Sequence, residues 1–115
     1  TNQGLMALRS AIYISTMGYK GIKEVALQCF SKANYAAKKI NDLHNFDLLF
    51  KNNFLKEFIV ETNLNIDTLL SKLSKKNIFL EKVLINNSDY LKISITETKT
   101  KKQIDKLVKE LDLIE

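Results

Sequence analysis

The sequence predicts a small α/β domain of the α+β type, in which one small sheet carries helices on a single face. Three observations point there. Apolar residues recur at helical spacing from Ile22 to Ile40 and again from Ile104 to Leu111. The segment Glu57–Thr62 is an aromatic and β-branched run, and Leu91–Thr96 alternates with a period of two, as half-buried strands do. The two kinds of segment follow one another in the order α-α-β-β-α-β-β-α, and a chain of 115 residues has room for one such layered domain.

The first helix is expected over Gly4–Met17. Leu5, Met6, Ala7, Leu8, Ala11, Ile12, Tyr13, Ile14 and Met17 leave Arg9 as its only charge. A helix apolar on every face is normally buried on every face. A domain of this size cannot cover both sides of it, so the residues are expected to belong to something larger. Gly18 is a natural stop. A second helix, about Gly21–Asp42, carries one stripe of Ile22, Val25, Ala26, Cys29, Phe30, Ala33, Ala37 and Ile40, with lysines and Glu24 on the rest.

Phe46–Phe50 and Glu57–Thr62 read as strands about a turn at Lys51-Asn52-Asn53. Asn65 is placed to cap a third helix, with Asp67 in its first turn where a negative charge suits the dipole. Its stripe is Ile66, Leu69, Leu70 and Leu73. Val83–Ile85, the Asn86–Asp89 turn and the Leu91, Ile93, Ile95 alternation form a hairpin. Thr100 and Gln103 form a capping box for the last helix, whose core stripe is Ile104, Leu107, Val108 and Leu111.

Composition excludes several classes. The net charge of +5 is almost wholly lysine, because Arg9 is the one arginine. Proteins that read bases lean on arginine, so a basic balance of this kind is a weak nucleic-acid footprint. A free-standing basic binding module, for nucleic acid among other partners, is the alternative reading, and it leaves the uncharged first helix unexplained. With one cysteine, Cys29, no internal disulfide forms, which fits a reducing compartment. No apolar run reaches the roughly twenty residues of a membrane span. The absence of proline and the three glycines argue against a loop-rich or repeat architecture.

The single residues that invite a catalytic reading have plainer ones. His44 follows a helix C-terminus, where a histidine suits the dipole, and Asp42 and Asp47 are only neighbours in sequence. Cys29 lies on an apolar stripe, as an inert buried thiol does. One His, one Cys and scattered carboxylates offer no metal-ligand spacing. Gly18 and Gly21 follow a helix, not a strand, so they form no phosphate loop. Lys99–Lys102 (Lys-Thr-Lys-Lys) reads as a solvated helix start. No catalytic residue is assigned. Thr1, Asn2 and Gln3 are the polar cluster of most interest: Thr1 or Asn2 caps the first helix, or the three lie where domains meet and pockets form.

The run Thr-Asn-Gln-Gly-Leu-Met-Ala-Leu-Arg-Ser-Ala-Ile-Tyr, followed by Gly-Tyr-Lys-Gly-Ile-Lys-Glu-Val-Ala, resembles the α subunit (subunit 1) of two-subunit glycine dehydrogenase (decarboxylating), the P-protein of the glycine cleavage system. Ser31–Tyr35 is similar to the family's Lys-Ala-His-Tyr segment, and Phe54–Val60 to its Phe-Asn-Glu-Phe-Val-Val strand. Ile95–Thr100 with Gln103–Val108 resembles its Val-Thr-Glu-x-x-Thr…Glu-Ile-Asp-x-Leu-Val ending.

The resemblance implies fold type I of the pyridoxal-phosphate enzymes. Residues 1–115 would be the single C-terminal small domain, and residues 1–17 the connecting helix that packs on a large domain. The family motif begins upstream with Ala-Thr-Ser-Asn-Ile-Cys, so a longer polypeptide is expected. The implied reaction is glycine decarboxylation, with the aminomethyl group passed to the lipoyl H-protein in a cytoplasmic heterotetramer. The cofactor would be pyridoxal phosphate held by a lysine of the partner β subunit, with no cofactor and no activity in this stretch alone. Thr1, Asn2 and Gln3 would lie near the shared active site and Leu5, Leu8 and Ile12 at an interface, and in the isolated fragment the first helix is expected either to mediate self-association or to be poorly ordered. No nucleic acid, membrane or metal is implied. Three departures stand out. Lys56 replaces an Asn, Asn77–Glu81 replaces a Gly-Ile-x-x-Gly pattern, and the loop before Tyr90 is short within a divergent stretch from Asn77 to Asp89. The strand from Leu91 also lacks the arginine that many fold-type-I enzymes use for the substrate carboxylate.

Overall fold

Three helices and four strands follow one another as α1 (Gln3–Asn41), β1 (Phe46–Leu48), β2 (Glu57–Thr62), α2 (Ile66–Ser74), β3 (Glu81–Ile85), β4 (Ser88–Ser94) and α3 (Lys101–Asp112). This computed structural model describes residues 2–52 and 54–114. All neighbouring strands are antiparallel, in the order β1-β2-β4-β3. The register pairs Phe58 with Ile93 and Val60 with Leu91, which puts these four side chains on one face. They share a single core with Cys29's neighbours Ala33, Ala36, Ala37 and Ile40 of α1, Leu69 and Leu73 of α2, and Ile104, Leu107 and Leu111 of α3. All three helices therefore lie on one side of the sheet, as the sequence predicts.

Several boundaries move. Within α1 two helical segments meet at Gly18, the break that the sequence predicts. That residue takes φ +61° and ψ −179°, a backbone region essentially reserved for glycine, and the helix resumes directly after it. The glycine thus ends the first segment as expected, and a second begins at once at an angle to it. Asn2 occupies the cap position without a side-chain capping bond, and its carbonyl accepts from the Met6 N–H at 3.0 Å. Thr1, the other expected cap, and Asn53 of the expected turn lie outside the described residues.

The strand expected over Phe46–Phe50 ends at Leu48, although Leu49 still donates its N–H to the Ile59 carbonyl. Strand β3 begins at Glu81, two residues before the expected Val83, because Lys92 and Leu91 extend the pairing to Glu81 and Lys82. The alternating strand runs Ser88–Ser94, so Ile95 is buried beyond its end. In the turn, Asn86 and Asn87 both take positive φ (+49° and +63°) and form the whole loop between paired Ile85 and Ser88. Two left-handed residues match the twist of the flanking strands, which is why asparagine suits this tight hairpin.

Local signals hold at the other ends. The Asn65 side chain accepts from the Thr68 N–H, and Thr100 and Gln103 make the complete capping box. Helix α2 closes with the paired bonds of a Schellman ending. Ile78 donates to the Leu73 carbonyl at 3.1 Å, and Asn77 to the Ser74 carbonyl at 3.0 Å. Asn77 carries the required left-handed conformation, φ +58°, at a position where the resemblance places glycine. Asparagine tolerates that region better than other side chains do. Replacing Asn77 with Ala should cost about 1 kcal/mol in urea unfolding, while Asn77→Gly should be neutral or stabilising. Equal losses for both variants would mean that the left-handed ending is not what Asn77 supplies.

Candidate functional site

Helix α1 divides into two halves with different surroundings. The stripe from Cys29 to Ile40 is buried: Cys29, Ala33, Ala37 and Ile40 lie in the interior together with Ala36, which the spacing argument does not include. Upstream, the same stripe surfaces. Ile22 and Ala26 are exposed and Val25 is half-buried, and Phe30, inside the Cys29–Ile40 stretch, is exposed as well, a correction to the expected continuous buried face. Cys29 is the first fully buried residue of α1, and none of the residues before it belongs to the core. Leu5 (57%), Leu8 (56%), Ile12 (57%) and Ile14 (57%) are more than half exposed, and Met6 and Tyr13 nearly so. These residues fall on different sides of the helix, so no face is covered. The overhang gives a radius of gyration of 16.5 Å, against about 13 Å for a compact chain of this length.

Asn2 and Gln3 are exposed at the tip of this overhang, and no other side chain of the chain is brought to them by a described hydrogen bond. His44 is exposed in the turn after α1. Cys29 is buried, with Sγ 3.3 Å from Glu97 Oε2, and the Lys32 ammonium donates to the Glu97 carbonyl. These contacts tie the Thr96–Lys99 loop to α1, so two pieces of the family-like ending and helix meet in space. Nothing in sequence spacing pairs residue 29 with residue 97. A second tie joins the two helices directly. The Tyr35 hydroxyl donates to Asp105 Oδ1 at 2.6 Å, Lys101 donates to Asp105 Oδ2, and the Lys101 ammonium lies 5.3 Å from the Tyr35 ring centre. The Lys101 hydrogen bond, then the Tyr35 hydroxyl, hold the Asp105 carboxyl below its ordinary value of 3.8, and Asp105 raises Lys101. Lys101 is therefore less a free cation at the helix start than a partner of Asp105.

The sheet face away from the helices is open. It carries half-buried Ile59, Val83, Ile85 and Tyr90 around Lys92, which pairs with Glu81 at 2.7 Å, and Ser94 donates to Glu57. Glu81 raises the Lys92 pKa through that hydrogen bond. Among the described residues no charged or polar side chain is buried, and no three His, Cys, Asp or Glu side chains cluster as metal ligands would. Every described lysine reaches solvent. A pyridoxal-phosphate site needs an enclosed lysine or phosphate cradle, and these residues do not form one by themselves.

The family model of the glycine cleavage system P-protein matches residues 1–111. The chain belongs to that family. It is 38% identical over 112 residues to a probable glycine dehydrogenase (decarboxylating) subunit 1 from Chlorobium limicola, covering 96% of this chain and 25% of the relative. A protein of the same description from Saccharolobus islandicus is 32% identical over 109 residues, 94% of this chain and 23% of its own length. The chain thus spans about a quarter of the curated relatives it matches.

Among solved structures, an inhibitor-bound glycine decarboxylase (P-protein) superposes with a TM-score of 0.89 at 19% identity, over 97% of this chain and 26% of that one. A C-DES mutant with glycine covalently linked to its PLP cofactor superposes at 0.71 and 15% identity, over 79% and 24%. These likenesses show the fold, the small α/β domain of fold-type-I pyridoxal-phosphate enzymes. Among the described residues no helix is long and apolar enough to cross a membrane.

Two outcomes follow for a P-protein family domain built this way. Because Asp105's pKa is lowered on folding, its tie contributes stability above the ordinary carboxylate value and loses it as pH falls through the folded value. The melting-temperature gap between the native chain and Asp105→Asn should therefore be widest near neutral pH and close on acidification below about pH 4. A gap independent of pH would show the charge to be idle. Second, at concentrations low enough to keep the 115-residue chain monomeric, Leu5→Lys, Leu8→Lys and Ile12→Lys should each change its unfolding free energy by less than about 0.5 kcal/mol. Leu91→Ala in the core should cost about 2–5 kcal/mol in the same assay.

Proposed function

We propose that this chain is the C-terminal small domain of the α subunit of a two-subunit glycine dehydrogenase (decarboxylating), acting in glycine decarboxylation with transfer of the aminomethyl group to the lipoyl arm of an H-protein. The observation that carries the reading is the exposed first half of α1, seen in a chain that belongs to the P-protein family and spans a quarter of its curated relatives. Burying the Leu5, Leu8 and Ile12 stripe at about 25 cal/mol per Å² of apolar surface rewards a neighbouring body with a complementary groove. A large domain of the same subunit is that body, with residues 1–17 as the connecting helix.

In this reading the domain's work is positional. Gly18 sets the direction in which the overhang leaves the core, and the Tyr35–Asp105–Lys101 and Cys29–Glu97 ties keep the C-terminal helix and loop against α1. Thr1, Asn2 and Gln3 then stand at the junction of the two bodies, near the shared active site. Pyridoxal phosphate, bound to the partner β subunit, supplies the electron sink for loss of the carboxylate. No residue of this chain is assigned a catalytic step. The setting is the cytoplasm.

The 115-residue chain mixed with the β subunit, H-protein and glycine should release no carbon dioxide above the β subunit alone. Release at the level of the intact α subunit would refute the need for a large domain. Alone, the chain should self-associate through α1, and the triple variant L5K/L8K/I12K should sediment as a monomer. Self-association that survives the triple variant would place the sticky surface elsewhere.

A further inference from the structure

We propose that the groove between the Asn77–Leu80 segment and α3 is a binding site for a small amphipathic carboxylate, an acid group on an aryl or short alkyl body. The groove encloses about 340 Å³, within the range of small-ligand pockets. Its floor is apolar and held rigid by the core. Ile93, Ile104 and Leu107 are nearly fully buried, and Ile78 and Leu80 of the divergent segment pack against that same core. Phe79, 78% exposed, stands beside this floor as a large aromatic surface with nothing over it.

The rim offers donors and little else. Lys99 and Lys106 line the groove, and no Asp or Glu does. Lys106 spends one N–H on the Lys76 carbonyl at 3.1 Å, which positions its ammonium and leaves further donors. Neither lysine has a carboxylate in ion-pair reach among the described residues, whereas Lys76, Lys82, Lys92 and Lys101 all do. The Gln103 carbonyl oxygen is consumed by the Thr100 N–H in the capping box, so its amide nitrogen is the end left over. The Ser94 hydroxyl donates to Glu57 on the other side of the sheet. An apolar floor with two cationic donors at its rim and no carboxylate in its lining matches a ligand that is acidic at one end and apolar at the other. This site uses none of the residues assigned to the junction above, so the two readings stand or fall separately.

The test titrates isotope-labelled 115-residue chain with 3-phenylpropionate and, at the same ionic strength, with neutral 3-phenylpropanol, following backbone amides by NMR. Saturable shifts confined to residues 77–80, 94–95 and 103–107 are expected with the acid. The alcohol should bind about fivefold more weakly, the worth of two exposed ion pairs together. Lys99→Gln with Lys106→Gln should bring the acid down to the alcohol's affinity while leaving the free spectrum otherwise unchanged. Lys75→Gln with Lys102→Gln, outside the lining, should leave the acid's binding intact. Equal binding of acid and alcohol, shifts scattered over other lysines, or no saturation by about 20 mM would overturn the proposal. Tighter binding of a blocked Glu-Phe peptide than of the free acid would also overturn it, in favour of an acidic protein segment.

Discussion

Ala33, Ala36, Ala37 and Ile40 close the core over the side of the sheet that carries Phe58, Val60, Leu91 and Ile93, and every other arrangement in the chain follows from that packing. Three alanines in five positions let a helix backbone come close to the sheet, and the two-residue alternation of β2 and β4 supplies large side chains to meet it. With one face filled by α1, α2 and α3, the remaining face is open and carries only partial apolar cover, Ile59, Val83, Ile85 and Tyr90 around a paired Lys92. The domain is thus sided: one half of the sheet is interior, the other is surface.

The same packing explains why α1 changes character along its length. Helical spacing continues upstream of Cys29, but the core does not, so a buried stripe becomes an exposed one without any change in the sequence pattern. Gly18 adds a bend in a region of the overhang that has no tertiary contact to enforce it. A residue with a side chain would meet no clash there, since the space around it is open, and its cost would be in backbone conformation alone. The direction of the overhang is therefore written into one glycine, and an apolar helix held in a set direction is what a fixed neighbouring body requires. This links the fold to the function proposed for a P-protein family member: the segment contributes geometry, and chemistry comes from elsewhere in the assembly.

Much of the fold was legible before any coordinates. Caps at Asn65 and Thr100, the β2 boundaries, the stripes of α2 and α3, and the burial of Cys29 are local matters, set by side chains within four residues of one another or by simple periodicity. The places where reading failed are equally specific. Strand β1 is shorter and β3 longer than their residue types suggest, because a strand's length is decided by its partner. The Asn77 ending could have been anticipated, since asparagine after an apolar helical stripe is a known substitute for glycine, but only hydrogen bonding shows the paired closure. The link between Cys29 and Glu97, and that between Tyr35 and Asp105, had no signal in sequence at all.

By itself the sequence determined the fold class, the order of the elements and the family, and it marked the first helix as too apolar for water. Periodicity and turn chemistry act over a few residues, so they survive being read in one dimension. The tertiary structure decided which turns of α1 are covered, at what backbone angles Gly18 joins its two segments, which lysines find carboxylates, and that a groove with cationic donors lies beside α3. Those depend on where the sheet stops and on pairs separated by as many as seventy residues, such as Tyr35 and Asp105. Distances of that kind are products of packing, and no local pattern encodes them.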